Sequence, residues 1–243
     1  MKGVHLSDLP PGIRRRLGEF VVTHWRRHAR KSYSQEGEDL ILERLFAGQR
    51  TGFYVDVGAH HPRRFSNTQR FYEHGWNGIN IEPNPDALAM FNRQRKRDIN
   101  VGCGVADREG QLVYFMFQEA ALNTFDPALA ERNKDHRFKF LGTKDIPVKR
   151  LDTILDELLP GQGNIDFMSI DVEGYDLQVL QSNDWSRFRP SCLLVEAFDF
   201  DLSNPNAFPI HTFLDQHDYG LFAKTFNTVF YRDRRTNQRH LLK

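Results

Sequence analysis

From Tyr33 onward, short apolar runs alternate with stretches whose apolar residues recur at helical spacing. The runs Phe53–Val57, Gly78–Ile81, Ile99–Val105, Gln111–Phe117, Phe167–Asp171 and Cys192–Ala197 predict strands. A closing pair, Leu221–Phe226 and Thr228–Arg232, predicts an antiparallel hairpin turning at Asn227. Between them Gly37–Phe46, Asn67–Glu73, Asp86–Arg95, Asp152–Leu159, Asp176–Gln181 and Pro209–Gln216 predict helices. Four of the runs, at 53–57, 78–81, 167–171 and 192–197, are rich in apolar residues, as expected when helices cover both faces of a sheet. Alternation of this kind predicts an α/β fold, a doubly wound and mostly parallel sheet ending in an antiparallel hairpin. The long stretch between Phe117 and Val148 reads as loop and is a candidate substrate lid.

Residues 1–31 have a different character. Seven basic residues between Arg14 and Lys31 face a single acid, Glu19, while Ile13, Leu17, Phe20, Val21 and Trp25 fall at amphipathic spacing. The reading is an N-terminal helical extension over 1–31 followed by one domain over 32–243. Such a helix either packs as a solvated surface helix or touches an anionic membrane or acidic partner. Composition narrows the class further. The 243 residues are 40% apolar and include 20 Phe, enough for one large core and incompatible with intrinsic disorder. A formal charge of +1 argues against general nucleic-acid binding. No run approaches the roughly 18–20 apolar residues of a membrane span, and the first sixteen residues hold no apolar signal core, so a cytoplasmic protein is expected. Cys103 and Cys192 lie outside any metal-ligand spacing and are expected as reduced core residues.

Ligands of such sheets bind beyond the carboxyl ends of the strands. The first run ends in Asp56, Gly58 and Ala59, and the second in Glu82, 24 residues beyond Gly58. An acid at that point suits the ribose hydroxyls of an adenosine cofactor, because its two oxygens accept both protons. The glycine-rich turn that cradles a pyrophosphate is absent, since only Gly58 of it is present, and no P-loop occurs. Asp56 beside that turn would repel phosphate and attract a cation. S-adenosylmethionine, with a sulfonium, an ammonium and no phosphate, therefore fits better than a dinucleotide.

The segments YSQEGEDLIL (33–42), FYVDVGAHHP (53–62), SNTQRFYEHGWNGINIEPNP (66–85), NVGCGVADREG (100–110), LDTIL (151–155) and IDFMSIDVEGYDLQVLQ (165–181) resemble the FkbM-type methyltransferases, a branch of the class I S-adenosylmethionine-dependent enzymes. The resemblance runs over about residues 33–200 and is most specific in IDVEGY. It implies a Rossmann-like sheet of seven strands and methyl transfer, commonly to a hydroxyl of a sugar or related scaffold. It also implies donor contacts from Gln35, Asp39, Gly104 and Val105 in the matching segments. Where many relatives have an asparagine and then a glycine after the first strand, this chain has His60-His61-Pro62.

Methylation of an alcohol needs a base or a metal to remove the hydroxyl proton. Asp171 and Glu173 alternate with Val172 and are expected to point the same way from an extended chain. With Glu196 they could form a base of raised pKa or hold a divalent cation such as Mg²⁺ or Mn²⁺. His60, at the turn after Gly58, is a second candidate base. His61, Asn67, Thr68 and Asn123 are candidate contacts to the acceptor. The leading expectation is an O-methyltransferase of a saccharide or small polar scaffold. The alternatives are an N-methyltransferase, for which no NPPY-like base-stacking run is present, and an inactive methyltransferase fold kept for binding.

Overall fold

The structure, a computed structural model, describes residues 10–13, 29–135, 137–159, 161 and 163–236. The chain divides between Ser32 and Tyr33 into two units, the second of which carries the α/β fold. Apart from Ile13, the apolar positions of the expected N-terminal helix lie outside the described residues. Among the described residues, no helix is long and apolar enough to cross a membrane.

Among the described residues ten strands follow in chain order: β1 (Phe53–Val57), β2 (Asn77–Ile81), β3 (Ile99–Val101), β4 (Gly104–Val105), β5 (Gly110–Phe117), β6 (Phe140–Lys149), β7 (Phe167–Ile170), β8 (Cys192–Glu196), β9 (Tyr219–Lys224) and β10 (Thr228–Asp233). The α-helices among the described residues of the second unit are α1 (Glu38–Leu45), α2 (Gln69–Glu73), α3 (Pro85–Gln94), α4 (Pro127–Asn133), α5 (Leu151–Leu158), α6 (Asp176–Gln181) and α7 (Pro209–Gln216). Seven strands form one sheet in the order β3-β2-β1-β7-β8-β10-β9, parallel from β3 to β8, with β10 antiparallel to both its neighbours. The predicted Rossmann-like sheet and its terminal hairpin are both present. The order reverses between β1 and β7, which pair directly, and that switch point is where a ligand is expected.

Period-two alternation sorts the strand residues between the two faces. Val55, Val57, Ile79, Ile81, Met168, Ile170, Leu193 and Val195 pack in one core with Leu151, Ile154, Val179 and Leu180 of α5 and α6. Tyr54, Phe167, Cys192 and Leu194 occupy the other face with Leu42, Phe46, Phe71 and Trp76. Toward the carboxyl ends that second face turns polar: Asp56 is in register with Asn80 on one side and Ser169 on the other. Cys103 and Cys192 are buried and unbridged.

The sequence reading needs correction in the middle of the chain. The run expected as one strand over Ile99–Val105 breaks at Gly102; β3 ends in the main sheet and β4 joins a separate three-stranded sheet, β4-β6-β5. The stretch expected as loop contains α4 and the ten-residue β6, paired antiparallel with β5 along its length. Gly142, Pro147 and a mostly exposed face hide β6 from an apolar pattern.

Gly58 is the tightest point of the architecture. Its φ is +77°, and a Cβ there would stand 1.8 Å from the Asp171 carbonyl oxygen. Gly58→Ala should therefore destabilise the fold by about 3 kcal/mol or more, combining left-handed strain with a backbone collision. Urea unfolding measures it; a loss below about 1 kcal/mol would mean the strand ends separate freely.

Candidate active site

A cavity of about 880 Å³, including its open mouth, lies beyond the carboxyl ends of β1, β2 and β7. Of the expected donor contacts, Gln35, Asp56, Gly58, Ala59, Glu82, Gly104, Val105 and Asp171 all line it. Asp39 does not. It is fully buried behind the wall, where it accepts the Ser34 hydroxyl at 3.0 Å and the Tyr33 amide at 2.9 Å.

Glu82 follows β2 and is held from both sides. Its Oε2 accepts the His60 amide and its Oε1 the Asn84 amide, each at 2.7 Å, so each oxygen keeps one lone pair for a ligand. Burial pushes its carboxyl up to about 7 despite these bonds. Asp56, also buried, accepts the Thr68 hydroxyl at 2.9 Å and is pushed by burial up to about 6, with Thr68 and Arg95 pulling the other way.

Asp171, Glu173 and Glu196 offer carboxylate oxygens within 4.8 Å of one another. Their convergence does not come from strand alternation, because β7 stops at Ile170 and the chain then turns through Glu173 (φ +52°) and Gly174 (φ +95°). Asp176 fixes that turn by accepting the amides of Val172 and Gly174, both at 3.3 Å. Asp171 lines the cavity and is exposed there. Desolvation, and behind it the charges of Asp176 and Asp56, raise its carboxyl; a ligand closing the mouth would complete the effect. Glu173 and Glu196 are raised for the same first reason, Glu173 then by the charges of Asp171 and Asp176, and Glu196 by those of Asp171, Glu173 and Asp176. Carboxyls crowded this closely favour a state in which the cluster keeps a proton.

His60 lines the cavity with φ +55°, its ring stacked on Phe65 at 6.2 Å between centroids. Burial, then the charge of Arg64, lowers it to about 4, so the imidazole is neutral, and its Nε2 is buried without a partner. His61 is outside the lining: its Nδ1 accepts the amides of Arg63 and Arg64 and caps the turn. Asn67 and Asn123 do reach the cavity. Asn67 donates to Ser169 Oγ at 2.9 Å and Asn123 Oδ1 accepts the Phe117 amide at 2.8 Å. Thr68 is fully buried behind Asp56 and does not line the cavity.

Sequence reasoning missed Asn84, Cys103, Ser169, Phe65, Tyr114 and Phe125 in the lining. Ser169 had a signal, being the one polar residue in the apolar run FMSI. Phe65 and Phe125 had none, because they come from loops folded over the strand ends. Arg64 and Glu119 join these two loops through a two-pronged ion pair, both contacts at 2.9 Å. Among the described residues, no Lys or Arg lines the cavity, against the carboxylates of Asp56, Glu82, Asp171 and Glu173.

A pH dependence follows for Glu82. Its folded value lies above the unfolded one, so its contribution is fully present below about 4.5 and is lost as pH rises through about 7. Wild type should lose about 3 kcal/mol relative to Glu82→Gln between about pH 4.5 and about pH 8 in urea unfolding. Parallel pH profiles for the two proteins would place Glu82 at an ordinary carboxylate value.

The fold and cavity can now be set beside known proteins. The family model described as Methyltransferase FkbM domain matches residues 56–221, more than half of the chain. No curated protein is similar enough in sequence to match. Among solved structures, the chain is similar to a TehB-like SAM-dependent methyltransferase from Corynebacterium glutamicum (8% identity, 90% of this chain and 100% of that one, TM-score 0.43). It is also similar to the Burkholderia thailandensis 1,6-didemethyltoxoflavin-N1-methyltransferase with bound S-adenosylhomocysteine (13%, 96% and 93%, TM-score 0.41). A third is the C-terminal domain of the precorrin-6Y C5,15-methyltransferase from Rhodobacter capsulatus (12%, 81% and 88%, TM-score 0.40). On the match to the family model, which begins at Asp56 and takes in Glu82, Asp171 and Glu196, the chain belongs to the FkbM methyltransferases, within the S-adenosylmethionine-dependent class.

Proposed function

We propose that the protein transfers a methyl group from S-adenosylmethionine to a hydroxyl of a saccharide or similar small polar acceptor. The observation that carries the reading is the charge of the cavity: four carboxylates and no Lys or Arg among its described lining residues. Such a lining favours a donor that is cationic at its reactive end and opposes phosphate-bearing coenzymes. The bound donor supplies a methyl group on a positive sulfur, open to in-line attack. The free lone pairs of Glu82 suit the ribose hydroxyls, and Gly58 lets the chain pass close to the ligand. Ile81, Cys103, Gly104 and Val105 offer an apolar slot for the adenine ring, while Asp56 faces the positive end.

Attack by an alcohol needs a proton acceptor near neutrality. His60, held neutral and far below that range, is a weak base, and its role in this reading is to shape the wall. The crowded acids are better suited, because repulsion and burial have already raised them. Asp171, at the open edge of the cluster, takes the hydroxyl proton, with Glu173 and Glu196 sharing the charge. A divalent cation held by the same three oxygens would do this work by polarising the hydroxyl instead. Asn67 and Asn123, at the cavity wall, can orient acceptor hydroxyls.

Calorimetry should show binding of S-adenosylhomocysteine and none of NAD; tighter NAD binding overturns the donor reading. Glu82→Ala should weaken S-adenosylhomocysteine by about tenfold to a hundredfold through lost bonds to a buried ligand. With a labelled donor and a panel of glycosides, Asp171→Asn should cut turnover far more than donor affinity, and unchanged turnover removes Asp171 from the chemistry. The same assay with EDTA separates the two acid roles: activity lost and restored by Mg²⁺ or Mn²⁺ assigns a cation, and full activity assigns the shared proton. Label appearing on amines and never on glycosides would overturn O-methylation.

A further inference from the structure

Behind the cavity lies a guanidinium that no part of the donor reading uses. Arg95, at the end of α3, is 1% exposed. It donates from Nε and Nη2 to the Pro62 carbonyl (3.1 and 2.9 Å), and from Nη2 to Ser66 Oγ and Thr68 Oγ1, both at 3.1 Å. Its Nη1 reaches the Tyr54 hydroxyl at 3.0 Å and Asp98 Oδ2 at 3.4 Å. Tyr54 in turn donates to Asp98 at 2.7 Å, so Asp98 is the direct counter-ion.

One assignment of protons satisfies every hydroxyl in this network, with the two Nη2 protons shared among three acceptors. A guanidinium only donates, so both hydroxyls accept from Arg95. Ser66 Oγ also accepts the Gln69 amide at 3.1 Å, which leaves its own proton for Thr68 Oγ1 at 3.2 Å. Thr68 Oγ1 then accepts twice, from Arg95 and from Ser66, and its single proton must go to Asp56 Oδ2 at 2.9 Å. The hydroxyls thus point in sequence from the buried cation to the cavity acid. At the end of that sequence a carboxylate is the fitting group, since it accepts only.

We propose that Arg95 and Thr68 are positioning residues, which hold Asp56 as an oriented anion toward the ammonium at the amino-acid end of the methyl donor. The inference rests on the donor reading above and goes beyond it by assigning the orientation of Asp56 to a hydroxyl relay. The field of Arg95 reaches the cavity through Thr68, while its direct ion pair is spent on Asp98. That arrangement favours negative charge on Asp56 without placing a competing cation where the donor binds. The pull of Thr68 and Arg95 against the burial of Asp56 agrees with it.

Two ligands that differ only at the donor's amino-acid end give the test. S-adenosylhomocysteine carries the ammonium and carboxylate of that end; 5′-methylthioadenosine keeps the adenosine and thioether and lacks both. Thr68→Val preserves the shape and removes the relayed proton, and Thr68→Ser keeps the proton. By calorimetry, Thr68→Val should bind S-adenosylhomocysteine about tenfold more weakly and 5′-methylthioadenosine within about twofold of wild type. Thr68→Ser should restore both. Ser66→Ala, a smaller perturbation that leaves the Arg95 contact to Thr68, should show the same selectivity at lower amplitude and serves should Thr68→Val fail to fold. Equal weakening of both ligands, or a serine variant as impaired as the valine one, would overturn the relay and leave Thr68 as structural support. Wild type that binds neither ligand would overturn the donor reading itself.

Discussion

The structure is governed by the need to keep acids together in one partly dehydrated place. Asp56, Glu82, Asp171, Glu173, Asp176 and Glu196 all stand above their ordinary carboxyl values, and burial is the first cause for each. A buried carboxylate is tolerated only with donors or a counter-charge. Here the donors are backbone amides for Glu82 and Asp176 and a threonine hydroxyl for Asp56. The nearest buried cation, Arg95, stays one residue removed from the cavity. What remains is negative potential at the mouth, which a retained proton in the acid cluster or a cationic ligand would relieve. The crowding that raises these carboxyls is also what favours a cationic ligand.

The fold delivers the acids there by simple means. Parallel strands end at one level, and the alternate positions of one face carry Asp56, Asn80 and Ser169 side by side. Gly58 lets the β1 end pass against the Asp171 carbonyl, closer than any side chain would permit. The left-handed turn at Glu173 and Gly174 then folds the chain back, so that Glu173 and Glu196 approach from different strands. Burial, hydrogen bonding and backbone strain act on one small region, and each is interpretable only with the others.

Much of this was legible in the chain. The parallel strands, the terminal hairpin, and Asp56, Gly58, Glu82 and Asp171 at strand ends follow from period and punctuation, which are local properties. What stayed hidden depended on contacts between distant segments. Thr68 read as a polar residue at a helix start, yet its hydroxyl is committed to Asp56 by Arg95, 27 residues later. A trace of Arg95 was nevertheless present: it stands four residues beyond Phe91 and eight beyond Ala87, both buried on α3, so a charge occupies the helix's inward face. His61 looked like a substrate contact because of its chemistry, whereas its Nδ1 is consumed by two amides of its own turn. β6 lacked both alternation and an apolar run because only two of its ten residues are buried, and only its pairing with β5 defines it.

Two connections hold the segment around residues 118–125 over the cavity, and their magnitudes differ. The Arg64–Glu119 pair is well formed but half exposed on the arginine side, so it contributes about 1 kcal/mol or less and weakens with salt. The second connection is buried. Thr124 donates to the Glu173 carbonyl at 2.7 Å, and Phe125 packs with Tyr114 at 4.7 Å between ring centroids and on Tyr175. Burying a phenylalanine side chain contributes about 2–3 kcal/mol before any hydrogen bond is added. The inner anchor thus outweighs the outer one. It also ends on Glu173, a member of the acid cluster, whose left-handed backbone needs support from its surroundings. The wall over the cavity and the geometry of the acids are in this way a single mechanical unit, and a change at Thr124, which lies outside the lining, reaches the acid cluster through Glu173.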